Sequence, residues 1–174
     1  MMDMNKLPQI SFVIPLFNEE NVFVSLIERL NSVMNASSLS CEVLLVDDGS
    51  TDATSSLMRS QSLKDTRYHS VFLSRNFGHQ LALSAGIEKA LGSEGLFILD
   101  GDLQDPPELL DDFYAKLKDG FDVVYGKRVK REKINFINKI VKNSSKTNTA
   151  INQLNKLLKI DQFDKSLKRN ACFN

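Results

Sequence analysis

The sequence predicts an α/β fold with a mostly parallel central sheet flanked by helices. Short β-rich apolar runs alternate along residues 1–126 with segments whose apolar residues recur at helical spacing. Such alternation is typical of a parallel sheet with helices on its faces. The chain has 174 residues, 42% of them hydrophobic, which is enough for one domain with a sizeable core.

Five strands are predicted, each a short apolar run that ends at polar or turn-forming residues. They are Ile10–Pro15, Glu42–Val46, Val71–Ser74, Leu96–Leu99 and Asp122–Gly126. The fourth run is the most apolar. We expect it in the middle of the sheet, because strands buried on both faces are continuously hydrophobic.

Four helices are predicted between these strands from apolar residues spaced three or four positions apart. Their apolar stripes are Phe23, Leu26, Ile27, Leu30 and Met34; Leu57 and Met58; Leu83, Ile87 and Leu91; and Leu110, Phe113 and Leu117.

Helix ends are indicated by capping residues. Thr51 and Asp52 are candidate caps of the second helix, and Gly92 is expected to end the third. Residues 105–107 (Asp-Pro-Pro) begin the fourth helix, which Gly120 ends.

Composition excludes several classes of protein. The two cysteines, Cys41 and Cys172, cannot form a disulfide framework or a cysteine-rich zinc site. No apolar run approaches the ~18 residues of a membrane span, and we do not expect the segment MMDMNKLPQIS to act as a signal peptide. We therefore expect a reducing, cytoplasmic location.

The net charge of zero conceals two unlike parts. Residues 1–126 carry 19 acidic and 9 basic residues, whereas residues 127–174 carry 3 acidic and 13 basic residues together with 8 Asn. The two parts are therefore interpreted separately.

Several common motifs are absent from the sequence. It has no G-x-G-x-x-G after the first strand, no G-x-x-x-x-G-K-[ST], no H-E-x-x-H and no G-x-S-x-G. The two histidines, His69 and His79, are too few for a His-rich metal site.

Acidic or polar residues follow three of the predicted strands: Asn18 and Glu19, Asp47 and Asp48, and Asp100 and Asp102. The carboxyl ends of parallel strands share one edge of a sheet, where ligands of such folds bind. Two neighbouring carboxylates favour Mg²⁺ or Mn²⁺ together with substrate phosphates. Each cluster is also compatible with a turn followed by a helix cap, and both interpretations remain open on spacing alone.

Five segments in this order and spacing resemble family 2 glycosyltransferases: FVIPLFNEE, VLLVDDGSTDAT, LSRNFGHQLALSAGI, FILDGDLQDPPELL and DVVYGKR. The likeness is greatest to the bacterial polyprenyl-phosphate glycosyltransferases and dolichol-phosphate mannose synthases, and it covers about residues 8–132.

The resemblance implies a GT-A fold, the Rossmann-like fold of nucleotide-diphospho-sugar transferases. It implies transfer of a sugar from a UDP- or GDP-sugar to a lipid phosphate with Mg²⁺ or Mn²⁺, as in bacterial cell-envelope synthesis. The expected partners are the donor, the lipid acceptor and the inner face of the plasma membrane, but no nucleic acid; a homo-oligomer is left open.

Roles of individual residues follow from the same resemblance. The residues expected to contact the donor nucleoside are Pro15, Phe17, Glu19, Val46, Asp47 and Asp48. Asp100 and Asp102 match the metal-binding D-x-D, with Gln104 nearby, and Arg128 matches an arginine that faces the donor phosphates. Asp102 and Arg128 are the expected catalytic residues, and no general base is identified.

The RNFG segment matches the family as well. Arg75 and Asn76 are interpreted as shaping a strand–helix loop, and His79 as a helix-start residue rather than a base.

Beyond Lys133 the family pattern fades, and no acceptor-side segment resembling GDFRL is found. The surroundings of Asp161 and Asp164 do not match it. The expected division is a nucleotide-sugar-binding domain over 1–132 and a basic, Asn-rich tail over 133–174, left by truncation or a frameshift. A helix with Ile151, Leu154, Leu157 and Leu158 on one side could lie on an anionic membrane, but a weakly ordered tail is favoured.

Two other functions are considered. One is a non-catalytic remnant that binds nucleotide-sugars without turnover. The other is a Mg²⁺-dependent phosphoryl-transfer enzyme of the D-x-D-x-[TV] type, which is disfavoured because Gln104 breaks that motif.

Overall fold

The computed structural model describes residues 7–126, 138–142 and 170–173. The strands in these ranges are β1 (Ile10–Leu16), β2 (Cys41–Asp47), β3 (Tyr68–Phe72), β4 (Gly95–Ile98), β5 (Val123–Gly126), β6 (Asn138–Lys142) and β7 (Asn170–Phe173). The helices are α1 (Glu20–Ala36), α2 (Thr54–Lys64), α3 (His79–Lys89) and α4 (Leu110–Lys118), with a 3-10 helix at Pro107–Leu109.

All seven strands form one sheet in the order β3-β2-β1-β4-β6-β5-β7. β1 pairs in parallel with β2 and β4, and β2 pairs in parallel with β3. β6 lies antiparallel between β4 and β5, and β7 pairs in parallel with β5. The mostly parallel sheet is therefore confirmed, with β4 in its interior, while β6 and β7 come from a segment where no strand is predicted.

Side chains of β1 alternate between two buried clusters, one on each face of the sheet. Phe12 and Ile14 belong to the larger cluster, which α1, α2 and α4 cover, and Val13 belongs to the smaller one under α3. The ring of Phe97 packs at a tilt between those of Phe12 and Phe113, at centroid distances of 5.3 and 5.4 Å, and so connects β1, β4 and α4.

The predicted apolar stripes of α1 and α4 are the residues that these helices bury. α4 ends as predicted at Gly120, whose N–H donates to the Leu117 carbonyl while the Phe121 N–H donates to the Lys116 carbonyl. This pair of bonds is a Schellman motif, which satisfies carbonyls that the helix end leaves open.

The end of α3 differs from the prediction. The helix stops at Lys89, and the side chain of Leu91 is exposed rather than part of the buried stripe. The N–H of Leu91 donates to the buried carboxylate of Glu42 at 2.6 Å, and the N–H of Gly92 donates to Ser11 Oγ at 2.7 Å. These contacts to the first residues of β1 and β2 end the helix early, so Gly92 is not its cap.

The starts of β3 and α2 also differ from the prediction. β3 begins three residues before the predicted strand, because buried Tyr68 already pairs with Val43 of β2. α2 begins at Thr54, whose N–H is accepted by Asp52 Oδ1 at 2.9 Å, whereas Thr51 donates its N–H to Asn18 rather than capping the helix.

Candidate functional site

A cleft of about 340 Å³ opens at the carboxyl ends of β1, β2 and β4. The chain adds β2 and β3 on one side of β1 and β4 on the other, so the cleft lies where the strand order reverses. Open α/β sheets bind their ligands at this position. The cleft is lined by Pro15, Leu16, Phe17, Glu19, Asp48, Asn76, Gly78, His79, Asp100, Gly101 and Asp102.

The loop after β4 carries the predicted metal ligands, Asp100 and Asp102, and both line the cleft. Buried Asp105 accepts the N–H of Asp100 on Oδ2 at 3.2 Å, and Asp102 Oδ1 accepts the N–H of Gln104 at 2.9 Å. Leu103, which lies between Asp102 and Gln104, adopts a left-handed backbone conformation with φ +63°. The loop is thus a compact turn whose two acidic side chains face one space.

Burial and neighbouring negative charge disfavour the ionised forms of two cleft carboxylates, Asp100 and Glu19. Burial raises the pKa of Asp100, and the nearby charge of Asp102 adds to this shift while His79 opposes it. Burial also raises the pKa of Glu19, with further contributions from Asp102 and Asp52. Carboxylates held close together are stabilised by a cation between them, so this set of oxygen donors fits a hard divalent metal.

No group of three or more His, Cys, Asp or Glu side chains is arranged to enclose a metal ion by itself within the described residues. This is compatible with Mg²⁺ or Mn²⁺, which are commonly held by one or two carboxylates plus water and substrate phosphates.

His79 is the first residue of α3, as the sequence predicts. It also lines the cleft, and its Nε2 lies 3.6 Å from Asp100 Oδ1. The sequence contains no signal for this contact, because the two residues lie 21 positions apart in segments that only the sheet brings together.

Asp48 connects the cleft to the loop before α3. Its two carboxylate oxygens accept the N–H of Phe77 at 2.7 Å and of Gly78 at 2.9 Å. Gly49, with φ +72°, lets the backbone of Arg75 and Asn76 pass so closely that a Cβ on Gly49 would overlap it. The RNFG segment is therefore held against the end of β2, in agreement with its interpretation as a shaped loop.

Asp47 has a different environment from Asp48. It accepts the N–H of Ser50 on Oδ1 at 2.9 Å and the hydroxyl of Ser55 on Oδ2, and it does not line the cleft. Val46 is fully buried and does not line the cleft either. Asp47 therefore acts as a turn residue of the DDGSTD segment, as one of the two interpretations has it, whereas Asp48 lines the cleft.

The loops after β1 and β2 are joined through Asn18, which has φ +57°. Its Oδ1 accepts the N–H of Thr51 at 2.8 Å, and its own N–H donates to Ser50 Oγ at 2.9 Å. Asparagine tolerates the left-handed region better than most residues. This cross-link keeps Phe17 and Glu19 on one wall of the cleft, and the sequence pattern alone does not predict it.

Of the other predicted site residues, Gln104 is described but is not among the residues that line the cleft. Arg128 lies outside the described residues, as do Asp161, Asp164 and the predicted tail helix. In the part of the chain that is described, no helix is long and apolar enough to cross a membrane.

Comparison with solved structures matches this architecture to known glycosyltransferases. TarS of S. aureus (residues 1–349) superposes with a TM-score of 0.61 at 20% identity, over 82% of this chain and 49% of that one. The mannosyltransferase PcManGT of Pyrobaculum calidifontis, solved with GDP-Man and Mn²⁺, gives 0.55 at 26% identity over 73% and 37%. The fold is therefore the GT-A type that the sequence resemblance implies.

Curated sequences include clear relatives. The uncharacterized glycosyltransferase YkcC of Bacillus subtilis is 43% identical over 131 residues, which are 75% of this chain and 40% of that protein. The undecaprenyl-phosphate 4-deoxy-4-formamido-L-arabinose transferase of Salmonella choleraesuis is 38% identical over 133 residues, or 76% and 40%. The chain thus spans about 40% of the length of these relatives.

The family model described as "Glycosyl transferase family 2" matches residues 11–170. This range contains every described strand and helix except the first residue of β1 and the last three of β7. This match agrees with the shared fold and with the sequence relatives. The chain belongs to glycosyltransferase family 2.

Proposed function

We propose that this chain forms the donor-binding part of a glycosyltransferase that moves a sugar from a UDP- or GDP-sugar to a polyprenyl phosphate. The observation that carries the proposal is the cleft at the reversal of strand order, where Asp100, Asp102 and Glu19 gather. The undecaprenyl-phosphate transferase among the relatives supports a lipid-phosphate acceptor, and the GDP-Man and Mn²⁺ bound to the mannosyltransferase support the donor class.

In the proposed site, residues 1–132 bind the donor. Pro15, Phe17 and Asp48 line the cleft and are proposed to contact the nucleoside. Val46 and Asp47, which directly precede Asp48, are buried and do not line the cleft, so they would act on the donor only through Asp48. Arg128 is proposed to face the donor phosphates, where a guanidinium can form paired hydrogen bonds to phosphate oxygens.

Asp100 and Asp102 would hold a divalent cation, with Gln104 nearby. A bound Mg²⁺ or Mn²⁺ supplies positive charge that offsets the negative charge on the departing nucleoside diphosphate. The protein contributes fixed carboxylates in a partly buried cleft, where electrostatic interactions are stronger than in bulk water.

The proposed chemistry is a single displacement. An oxygen of the lipid phosphate attacks the anomeric carbon of the sugar, the bond from that carbon to the diphosphate oxygen breaks, and the configuration inverts. Because the attacking oxygen is already anionic, the reaction depends more on charge stabilisation at the leaving group than on a strong base. A membrane-resident acceptor would place the reaction at the inner face of the plasma membrane.

Calorimetric titration with UDP, GDP and their sugar conjugates, with and without Mn²⁺, tests donor binding. We expect Mn²⁺-dependent binding in the wild type and its loss in Asp102→Ala. The matched control is Asp122→Ala, which removes an exposed carboxylate just before β5, at the opposite edge of the sheet. Unchanged Mn²⁺ dependence in Asp102→Ala would contradict the proposed ligand role.

Turnover is measured separately, as release of nucleoside diphosphate in the presence of a polyprenyl phosphate. Release that requires both donor and lipid phosphate supports the transferase. Binding of the donor without any turnover would instead identify this chain as a nucleotide-sugar binder.

A further inference from the structure

Leu103, in the loop after β4, has an unusual backbone. Within the described residues, Asn18 and Leu103 are the non-glycine positions with positive φ, and Leu103 has φ +63°. A bulky L-residue in the left-handed region is strained, and such strain persists only where the surrounding structure imposes it. Leu103 immediately follows Asp102, so whatever holds Leu103 also shapes the proposed metal loop.

Arg29 of α1 is the residue that holds it. Arg29 Nη1 donates to the carbonyl oxygen of Leu103 at 2.9 Å. Its Nε and Nη2 donate to Glu108 Oε1 and Oε2 at 2.6 and 2.8 Å. One planar guanidinium therefore contacts the start of the segment 103–108 through its backbone and the end through a carboxylate. A lysine could not make all three contacts at once, because its ammonium group has no planar fork.

The same segment positions the two acidic residues of the cleft. Asp105, between the two points that Arg29 contacts, accepts the N–H of Asp100, and the N–H of Gln104 donates to Asp102. The side chain of Leu103 packs against the larger core cluster and limits how the loop can turn. A change at Arg29 is thus transmitted through Leu103 and Asp105 to the carboxylates, although Arg29 does not line the cleft.

We infer that Arg29 is a positioning residue that fixes the loop of Asp100 and Asp102 in the conformation that binds a divalent cation. This inference rests on the proposed metal-dependent donor site and adds a residue of α1 that lies outside the motifs around the cleft. Partners that orient metal ligands change metal affinity by about 10- to 100-fold when they are removed. Arg29 acts one step further from the metal, so we expect a loss of about 10-fold, at the lower end of that range.

The test compares the full chain with Arg29→Ala, Arg29→Lys and the control Arg59→Ala. Arg59 stacks on Phe72 at 4.0 Å and projects from α2, so the control removes one guanidinium without touching the loop. Mn²⁺ affinity is measured by electron paramagnetic resonance with UDP or GDP present, well below the melting temperature of each variant. Hydrogen exchange of the Asp100 and Gln104 amides reports the conformation of the loop directly.

We expect Arg29→Ala to bind Mn²⁺ about 10-fold more weakly and to exchange both amides faster, with Arg29→Lys in between and Arg59→Ala unchanged. A merely structural role would lower the melting temperature but leave the Mn²⁺ affinity of the folded protein as in the wild type, and that result overturns the inference. If Arg29→Ala does not fold, the Arg29→Lys result decides.

Failure of the proposed function gives a different result. In that case the wild type itself shows no Mn²⁺-dependent nucleotide binding. The exchange measurement then still decides whether Arg29 fixes the loop, since unchanged amide exchange in the variants overturns that part independently.

Discussion

Asp48 Oδ1 accepts a hydrogen bond from the backbone N–H of Phe77 at 2.7 Å and so joins two loops that follow different strands. Asp48 Oδ2 accepts the next N–H, that of Gly78, at 2.9 Å. Asn76, Gly78 and His79 form one wall of the cleft, and both oxygens of Asp48 hold that wall in place. Hydrogen bonds to a charged acceptor are stronger than neutral ones, so this carboxylate has a large influence on the shape of the site.

Replacing Asp48 with asparagine should destabilise the protein. The amide would keep one acceptor but direct an NH₂ group at the N–H of Phe77 or of Gly78, which then loses its bond to residue 48. Gly78 would keep a second acceptor, Asn76 Oδ1 at 3.0 Å, whereas Phe77 has no other acceptor among these contacts. We expect a loss of about 1–3 kcal/mol in the free energy of unfolding, measured by urea denaturation, and faster amide exchange at residues 76–78.

Asp47→Asn is the matched control for this change. Asp47 accepts a backbone N–H on one oxygen and the Ser55 hydroxyl on the other. A hydroxyl can rotate and accept from the new amide, so Asp47→Asn should cost less than Asp48→Asn. Equal losses in both variants, or unaltered exchange at 76–78 in Asp48→Asn, would show that Asp48 does not hold the loop.

Gly49 and Gly78, on the two segments that Asp48 joins, allow the cost of backbone strain to be distinguished from the cost of close packing. Gly49 has φ +72° and its added Cβ would lie 2.6 Å from the backbone nitrogen of Asn76, whereas Gly78 has φ +92° with nothing within 4 Å. Gly78, with φ +92° and ψ +152°, has a backbone conformation that essentially only glycine adopts, so Gly78→Ala should cost about 1–3 kcal/mol from backbone strain alone. Gly49→Ala should cost about 1–3 kcal/mol more from overpacking, as measured by denaturant unfolding. A smaller loss in Gly49→Ala than in Gly78→Ala would contradict the close approach.

Local patterns predicted those parts of the fold that depend on nearby residues. The stripe from Phe23 to Met34 lies on one side of α1 and is buried as a unit, because a helix with one apolar face must cover it. The predicted end of α3 was wrong because the helix end depends on Glu42 and Ser11, which lie more than 45 positions away in the chain. Hydrogen bonds of that range leave no periodic signal in the sequence.

In the candidate site, too, local sequence patterns predicted some features and missed those that depend on distant residues. The placement of Asp100 and Asp102 at a strand end was predicted, since it follows from the strand pattern and the topology of parallel sheets. The roles of Asp48 and Arg29 were not, because each acts by bonding to backbone atoms of a distant loop. Any residue can offer a backbone N–H or carbonyl, so such partners have no characteristic residue type.

The pH dependence of stability should reveal Glu94, which lies far from the cleft. Glu94 accepts hydrogen bonds from Gln9, Tyr114 and Lys118 at 2.9, 2.7 and 3.2 Å. These bonds lower its pKa from 4.5 to about 2, with Gln9 contributing most. A lowered pKa stabilises the folded state above pH 4.5, and that contribution is lost as the pH falls towards about 2.

Glu94→Gln should therefore lower the melting temperature at pH 7 and reduce the loss of stability between pH 4.5 and 2. Glu88→Gln, which changes an exposed carboxylate of α3, is the control and should follow the wild type. The measurement is a series of thermal melts by circular dichroism. Parallel pH profiles for Glu94→Gln and the wild type would rule out the contribution of Glu94.

Asp100 should reduce stability in the absence of metal. Burial and the charge of Asp102 raise its pKa, so above that raised pKa the ionised carboxylate costs folding free energy. Asp100→Asn removes the charge and should raise the free energy of unfolding at pH 7 by about 1 kcal/mol. This gain should disappear as the pH is lowered through the raised pKa, because the wild-type carboxyl is then neutral as well.

When metal and nucleotide are present, the wild type should instead become more stable than Asp100→Asn. A ligand that binds only the folded state stabilises it in proportion to its affinity, so Mn²⁺ with UDP or GDP should raise the melting temperature of the wild type but not of Asp100→Asn. Asp122→Asn, which changes an exposed carboxylate away from the cleft, should behave as the wild type in both conditions. An equal increase in melting temperature with Mn²⁺ and nucleotide in Asp100→Asn would show that this carboxylate is not a ligand. If Asp100→Asn is less stable than the wild type without metal, the carboxylate stabilises the fold. That result would contradict the prediction that its charge destabilises the metal-free protein.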